Sequence, residues 1–492
     1  MHLRKEIQKH LVVILNIIKL KIPCDSLREL SKDHLTSSYF VRPRNTLAPH
    51  ATYKLLQEDH SSIVHSTLDR GIQQMAIDVL RHNILSLRKK NVHDSAAIVI
   101  ENSTGHVLAY IGSMSDLSSA KYVDGVQAKR QAGSALKPFL YARAFDQRLI
   151  TPSTRIEDSP LDIPVFSGVY RPRNYDNQFH GPVTARVALA SSLNVPAVKV
   201  LNWVGVDAFV HTLKDLKFSH LQSPEFYGPS LALGSADVSL WELTNAYRVL
   251  ANHGIWSPAT LNPSSNFQGG ESVFSEEATF LVSDILSDRE SRSSTFGFEN
   301  PLSTRTWSAV KTGTSKDMRD NWCIGFSDKY TVGVWVGNFS GSSMWNVTGI
   351  SGAAPAWLEI MNHLHVDNIS TPPKTPQNIV KKLGELYVLG TEPEFSGEHP
   401  SNRKPKITYP TLGTIFAFDP DIPLNHQAVI FKVEGGTKGL HLQLNGKEIG
   451  SALKEIAWVP KKSGIYKLVL IDSRDKIVDK TEFEVRGSSS LN

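Results

Sequence analysis

The chain has 492 residues, 40% of them hydrophobic and 21% charged, with a formal net charge of +5. This is the composition of a globular protein long enough to bury a sizeable core and to form about two to four domains. The mild basic balance argues against dedicated nucleic-acid binding. The two cysteines, Cys24 and Cys323, lie far apart without neighbouring ligands, which argues against a metal site or a disulfide framework.

Near the N-terminus Leu3, Ile7, Leu11, Ile14, Leu15 and Ile18 recur at helical spacing and predict an amphipathic helix. The apolar run Leu11–Ile18 falls short of the roughly 20 residues that span a bilayer. Lys19 and Lys21 follow it without a small-residue cleavage site, so neither a signal peptide nor a membrane anchor is read here. Helical periodicity predicts a helix over Ser66–Leu87, and Ala96–Ile100 with His106–Tyr110 reads as a hairpin around a glycine turn. Residues 134–148 read as a helix and 151–182 as loop. Val183–Val204 is a helical region, and Pro196 places Ser192 and Asn194 on an inter-helix turn. Residues 205–262 are mainly helical, and Ser275–Leu286 is a further helix. Thr306–Ala309, Trp322–Phe326 and Thr331–Gly337 read as strands, with Lys311-Thr312-Gly313 at the centre of an antiparallel sheet covered by helices on both faces. That arrangement is α+β. Pro355–Leu364 is a closing helix, and the prolines after it mark 366–405 as a linker. Residues 406–486 then alternate in short apolar runs between turn signals, including Asn445-Gly446, and read as a small β-sandwich. A serine-rich tail, 487–492, is expected to be disordered.

Three short polar motifs carry the chemistry: Ser134-x-x-Lys137, Ser192-x-Asn194 and Lys311-Thr312-Gly313. Each alone is weak, since a lone S-x-x-K is usually a helix-capping serine and a solvated lysine. A serine hydroxyl needs a base to become a nucleophile. Positions i and i+3 share a helix face, so Lys137 can stand beside Ser134. Lysine acts as a base only when neutral, and burial together with a second cation, Lys311, favours that form. The expected roles are Ser134 as nucleophile, Lys137 as general base and Ser192 as proton relay. Asn194 is expected to hold Lys137 and the substrate amide. Gly313 lets a substrate backbone lie close, while Lys311, Thr312 and Thr314 face a terminal carboxylate. The backbone N–H groups of Ser134 and Thr314 form the expected oxyanion hole. No cofactor and no metal enter this scheme.

The order S-x-x-K, S-x-N, K-T-G is the signature of penicillin-interacting serine enzymes. With it, Arg130-Gln131-Ala132-Gly133 before the nucleophile resembles the transpeptidase domain of the class A penicillin-binding proteins. The blocks Tyr170-Arg171-Pro172 with Asn174, Asp176, Phe179, His180 and Gly181, and Leu231-Ala232-Leu233-Gly234 with Tyr247, resemble the same family. The resemblance implies a serine β-lactamase-like α+β transpeptidase domain over 66–365, followed by the family's C-terminal domain. It implies a periplasmic enzyme that attacks the D-Ala-D-Ala end of peptidoglycan stem peptides through a Ser134 acyl-enzyme and is acylated by β-lactams. Residues 1–65 are expected to be a remnant of the family's glycosyltransferase domain and a linker. No glycosyltransferase activity is expected of this chain, and a separate glycosyltransferase is an expected partner. The family usually has proline where Ala132 stands. A D,D-carboxypeptidase, a serine β-lactamase or sensor, and a catalytically silent scaffold are the alternatives. Leu193, where class A β-lactamases have aspartate, argues against the lactamase.

Overall fold

The computed structural model describes residues 46–58, 63–165, 168–265, 269–297, 299–393, 405–410, 413–417, 428–434, 439–453 and 456–486. The predicted helix over Leu3–Ile18, Cys24 and the serine-rich tail lie outside the described residues. The chain divides into two compact units between Glu392 and Pro393.

The first unit is built on one antiparallel sheet. Its strands are β1 (Asp94–Glu101), β2 (Val107–Ile111), β3 (Ala309–Thr314), β4 (Asp320–Phe326) and β5 (Tyr330–Gly337), in the order β3-β4-β5-β1-β2. Side chains alternate between the two faces of a strand. Ala96, Ile98 and Ile100 therefore pack into one hydrophobic cluster, and Ala97 and Val99 into another. Both faces are covered, which explains why β1 reads as a continuous apolar run rather than an alternating one. One face carries helices α2 (Lys137–Asp146), α5 (Leu240–Ala251) and α6 (Glu276–Ser287). The other carries α1 (Arg70–Leu87) and α8 (Ala354–Leu364). Asp69 starts α1 by accepting from the Ile72 amide at 2.8 Å. Three further helices, α3 (Ala185–Ala190), α4 (Asn194–Val204) and α7 (Arg289–Phe296), complete the wall around the sheet end that bears the three motifs.

The sheet corrects one expectation. The K-T-G strand β3 is an edge strand, not a central one. The meander β3-β4-β5 pairs with the N-terminal hairpin through β5 and β1, so β3 keeps one long side outside the ladder. The region read as loop, 151–182, also contains short paired strands, Arg155–Asp158 with Gly181–Thr184 and Ile163–Val165 with Gly168–Tyr170.

The expected linker 366–405 contains a hairpin, β6 (Ile379–Lys382) with β7 (Glu385–Val388), that packs on the first unit's core through Ile379, Leu386 and Val388. Arg186 on α3 fastens it. Its guanidinium donates to Glu385 at 2.8 Å, to Asp284 at 2.6 Å and to Asp288 at 3.2 Å. The proline spacing hid this hairpin, because its strands are short and its turn, Leu383-Gly384, lies between lysine and glutamate.

The second unit contains two small sheets around a core of Ile407, Phe431, Leu442, Leu468, Leu470 and Phe483. One sheet joins Lys406–Tyr409, Val429–Glu434 and Ile456–Trp458. The other joins Thr414–Ala417, Ile477–Arg486, Gly464–Ile471, His441–Leu444 and Lys447–Ser451. Asn445 and Gly446 form the hairpin turn with φ of 49° and 78°, the positive values that an Asn-Gly pair accepts readily.

Candidate active site

Ser134 lies in a 3₁₀ turn, Gly133–Leu136, that runs directly into α2 at Lys137. Pro138 is tolerated there because the first helical amides have no intrahelical partners. The turn is pressed against the edge strand. A methyl group placed on Gly313 would sit 2.6 Å from the Ala132 carbonyl oxygen and 3.0 Å from the Ala135 amide nitrogen. One placed on Gly133, whose φ is +55°, would sit 2.4 Å from the Thr314 oxygen and 3.0 Å from the Thr314 nitrogen. The glycine of K-T-G is therefore required by the turn that bears Ser134. The sequence had assigned its bareness to the substrate.

Trp322 holds the approach to the turn by donating from Nε1 to the Gln131 carbonyl at 2.8 Å. Tyr247, noted in the sequence only as part of a block, donates to the Ala135 carbonyl at 2.7 Å. Ser134 itself is half-buried and lines a cleft of about 680 Å³ together with Ser192, Asn194, Thr312 and Thr314.

The S-x-N motif occupies the break between α3 and α4, as its proline suggested, although Pro196 lies within the first turn of α4 rather than ending a helix. Ser192 has φ of +60°, a left-handed conformation uncommon for a residue with a Cβ. That kink turns the Ser192 and Leu193 carbonyls inward. Both accept from Lys137 Nζ, at 2.7 and 3.0 Å, and Asn194 Oδ1 accepts from it at 2.7 Å. Lys311 Nζ donates to Ser192 Oγ at 2.8 Å and to the Thr312 carbonyl at 2.9 Å. The three motifs thus meet through hydrogen bonds spanning up to 119 residues of sequence. Thr314 Oγ1 accepts from the Gly349 amide at 3.0 Å, so this hydroxyl also braces the 348–350 turn that lines the cleft.

Both lysines are buried, Lys137 at 0% and Lys311 at 2% exposure. Burial first, and the Lys311 charge second, push the Lys137 amine well below its ordinary range. Burial pushes Lys311 down to about 7. The three oxygens around Lys137 act in the opposite direction, because each favours the ammonium form. Lys137 is thus balanced between a cage that holds a proton and an interior that expels one, a suitable state for a group that must take and return protons.

Asn194 has less freedom than the sequence suggested. Its Nδ2 donates to the Arg173 carbonyl at 2.8 Å, leaving one hydrogen for a substrate amide. Tyr170, Tyr175, Phe296 and Ile350 form the apolar walls of the cleft, and Lys316 is a charged residue at its lining; none of these was singled out from sequence as a cleft residue.

The penicillin-binding protein transpeptidase domain family matches residues 95–361, more than half of the chain. The chain belongs to the penicillin-binding protein family. The penicillin-binding protein C-terminus family matches residues 397–481. Penicillin-binding protein 1C of Escherichia coli strain K12 is 31% identical over 358 residues, covering 71% of this chain and 44% of that protein. Penicillin-binding protein 2D of Bacillus subtilis is 31% identical over 350 residues, covering 66% and 48%. The chain therefore spans less than half the length of these relatives. The solved penicillin-binding protein PonA1 of Mycobacterium tuberculosis superposes with a TM-score of 0.56 at 21% identity, covering 70% of this chain and 96% of that one. The same protein in complex with penicillin V gives 0.55 at 20% identity, over 70% and 98%. The α+β fold expected from sequence is the fold of these transpeptidase domains. Among the described residues no helix is long and apolar enough to cross a membrane.

Proposed function

We propose that this chain is a serine D,D-transpeptidase of the bacterial cell wall, working in the periplasm on peptidoglycan stem peptides and acylated by β-lactams at Ser134. The observation that carries this reading is the convergence of Lys137, Ser192, Asn194 and Lys311 in one hydrogen-bonded cluster beside Ser134. Lys137 takes the Ser134 proton as Oγ attacks the penultimate D-alanine carbonyl. The backbone amides of Ser134 and Thr314 receive the oxyanion; the first amides of a helical turn lack internal partners and can serve this way. Ser192, which already accepts from Lys311, passes the proton to the departing D-alanine amine. Lys311 with Thr312 and Thr314 receives the terminal carboxylate, the anionic end of donor peptide and penicillin alike. An amine of a neighbouring stem then attacks the acyl-enzyme and restores the hydroxyl.

Fluorescent penicillin should label the chain covalently, and Ser134→Ala should abolish the label. Failure of the parent chain to label would leave the scaffold alternative standing. Incubation with a stem pentapeptide and an acceptor amine should give the cross-linked product by mass spectrometry. Release of the tetrapeptide acid alone would identify a D,D-carboxypeptidase instead.

A further inference from the structure

We propose that Asp158 and Asn174 are positioning residues for this reaction, holding the Asn194 amide in the one orientation that presents its oxygen to Lys137. The proposal rests on the acylation reading above.

An asparagine amide has an oxygen end that accepts and a nitrogen end that donates, and only hydrogen bonds decide which end faces which way. At Asn194 the oxygen end meets Lys137 Nζ and the nitrogen end meets the Arg173 carbonyl. The residue next to Arg173 secures this choice. Asn174 Oδ1 accepts from the Asn194 backbone N–H at 2.8 Å, which ties the loop to the start of α4. Its Nδ2 donates to Asp158 Oδ2 at 2.7 Å and to the Gln178 carbonyl at 2.8 Å. Asp158 Oδ2 also accepts from the His180 amide at 2.9 Å. A flip of Asn174 would set its oxygen against a carboxylate and a carbonyl, and its NH₂ against an N–H. The carboxylate therefore dictates the Asn174 orientation, Asn174 places Arg173 and the Asn194 backbone, and these place the Asn194 oxygen on the lysine.

Asp158 is a fully buried carboxylate. It is 0% exposed, Asn174 is 4% exposed, and among the described residues no cation pairs with Asp158. A buried carboxylate without a cation is costly to keep. Among the described residues its Oδ1 has no hydrogen-bond partner, and neither does the buried hydroxyl of Tyr141. Tyr141 follows Lys137 by one turn of α2 and feels the Asp158 charge, which with burial raises its phenol further into the neutral form. The hydrogen-bonded chain from Lys137 through Asn194 and Asn174 thus ends at Asp158, whose charge is felt at Tyr141 on the helix that bears Lys137. The charge that acts on Lys137 is that of Lys311 on β3, which in turn lies beside the buried Cys323 on β4, while Asp158 acts on Tyr141.

The second-order acylation rate by fluorescent penicillin, measured against pH and normalised to the fraction labelled at saturation, tests the proposal independently of how much protein folds. Asn174→Ala and Asp158→Ala should each lower the rate roughly tenfold, as displaced supporting residues do at other sites. With one oxygen fewer to favour the ammonium, Lys137 should lose its proton at lower pH, and the acid limb of the profile should move down. Asp158→Asn keeps an acceptor for Asn174 and His180, so it should recover most of the rate. Normalised rates and an acid limb equal to the parent's in Asn174→Ala would overturn the proposal. So would an Asp158→Asn variant as damaged as Asp158→Ala. A parent chain that does not label at all would overturn the acylation reading and this proposal with it.

Discussion

Two kinds of cation site within the first unit are treated in opposite ways. Arg186 on α3 is surrounded by Asp284, Asp288 and Glu385, and these acids raise its guanidinium further into the charged form against the opposing effect of burial. Elsewhere in the same unit, Lys137 and Lys311 are buried beside one another with carbonyl and hydroxyl oxygens but, among the described residues, no carboxylate partner. The first arrangement fixes a charge; the second leaves it negotiable. Arg186 is held by matched charge, whereas the lysine pair is not, a state suited to the chemistry proposed for it.

The largest expected effect comes from removing the unmatched charge. Lys137→Met should slow penicillin acylation by about 10³-fold, within the range attributed to general-base groups. Its stability should change little, because three carbonyls losing their donor offset the relief of a buried cation. Denaturant midpoints measured beside the acylation rates check both halves, and an equally large loss of stability would break the contrast. Arg186→Met should do the reverse and cost about 3–5 kcal/mol by leaving three acids facing an apolar side chain. Equilibrium denaturation of the first unit reads this directly.

A subtler contrast lies in pH. Lys311 releases its proton at about 7 when folded, against 10.5 ordinarily. Between those values the unfolded chain binds the additional proton, so this residue makes stability rise with pH there, and its unfavourable contribution is fully present below about 7. On the proposed reading Lys311 receives the carboxylate as a cation, and that cation is lost over the same interval, so acylation by penicillin should decline above pH 7. Lys311→Arg, which stays charged, should extend the plateau to higher pH. The smallest effect is expected at Tyr141→Phe. Removing a buried hydroxyl without a partner should leave stability unchanged or raise it by about 1 kcal/mol.

Much of this site could be read from the chain before any coordinates. Ser134, Lys137, Ser192, Asn194 and Lys311 are few, polar and set in characteristic surroundings, and they do come together. The sandwich strands were legible because period-2 alternation and Asn-Gly punctuation are local signals. What stayed hidden depends on pairing across distance. The edge position of β3 follows from β5 choosing β1, which no local pattern encodes. The clasp of Arg186 on Glu385 joins residues 199 apart, and the Asp158–Asn174 contact joins an acid in a presumed loop to a residue known only as part of a block. Lys316 escaped notice because lining a cavity is a property of the folded surface, not of a spacing.

The K-T-G strand leaves one long side of the sheet unpaired. Such a rim measures only the regular rhythm of amides and carbonyls along an extended partner, and that rhythm is common to every peptide sequence. On the proposed reading such a rim would admit an extended backbone of any sequence, and discrimination would fall to the carboxylate-binding Lys311, Thr312 and Thr314 and to the surrounding walls: the rings of Tyr170, Tyr175 and Phe296 and the ammonium of Lys316.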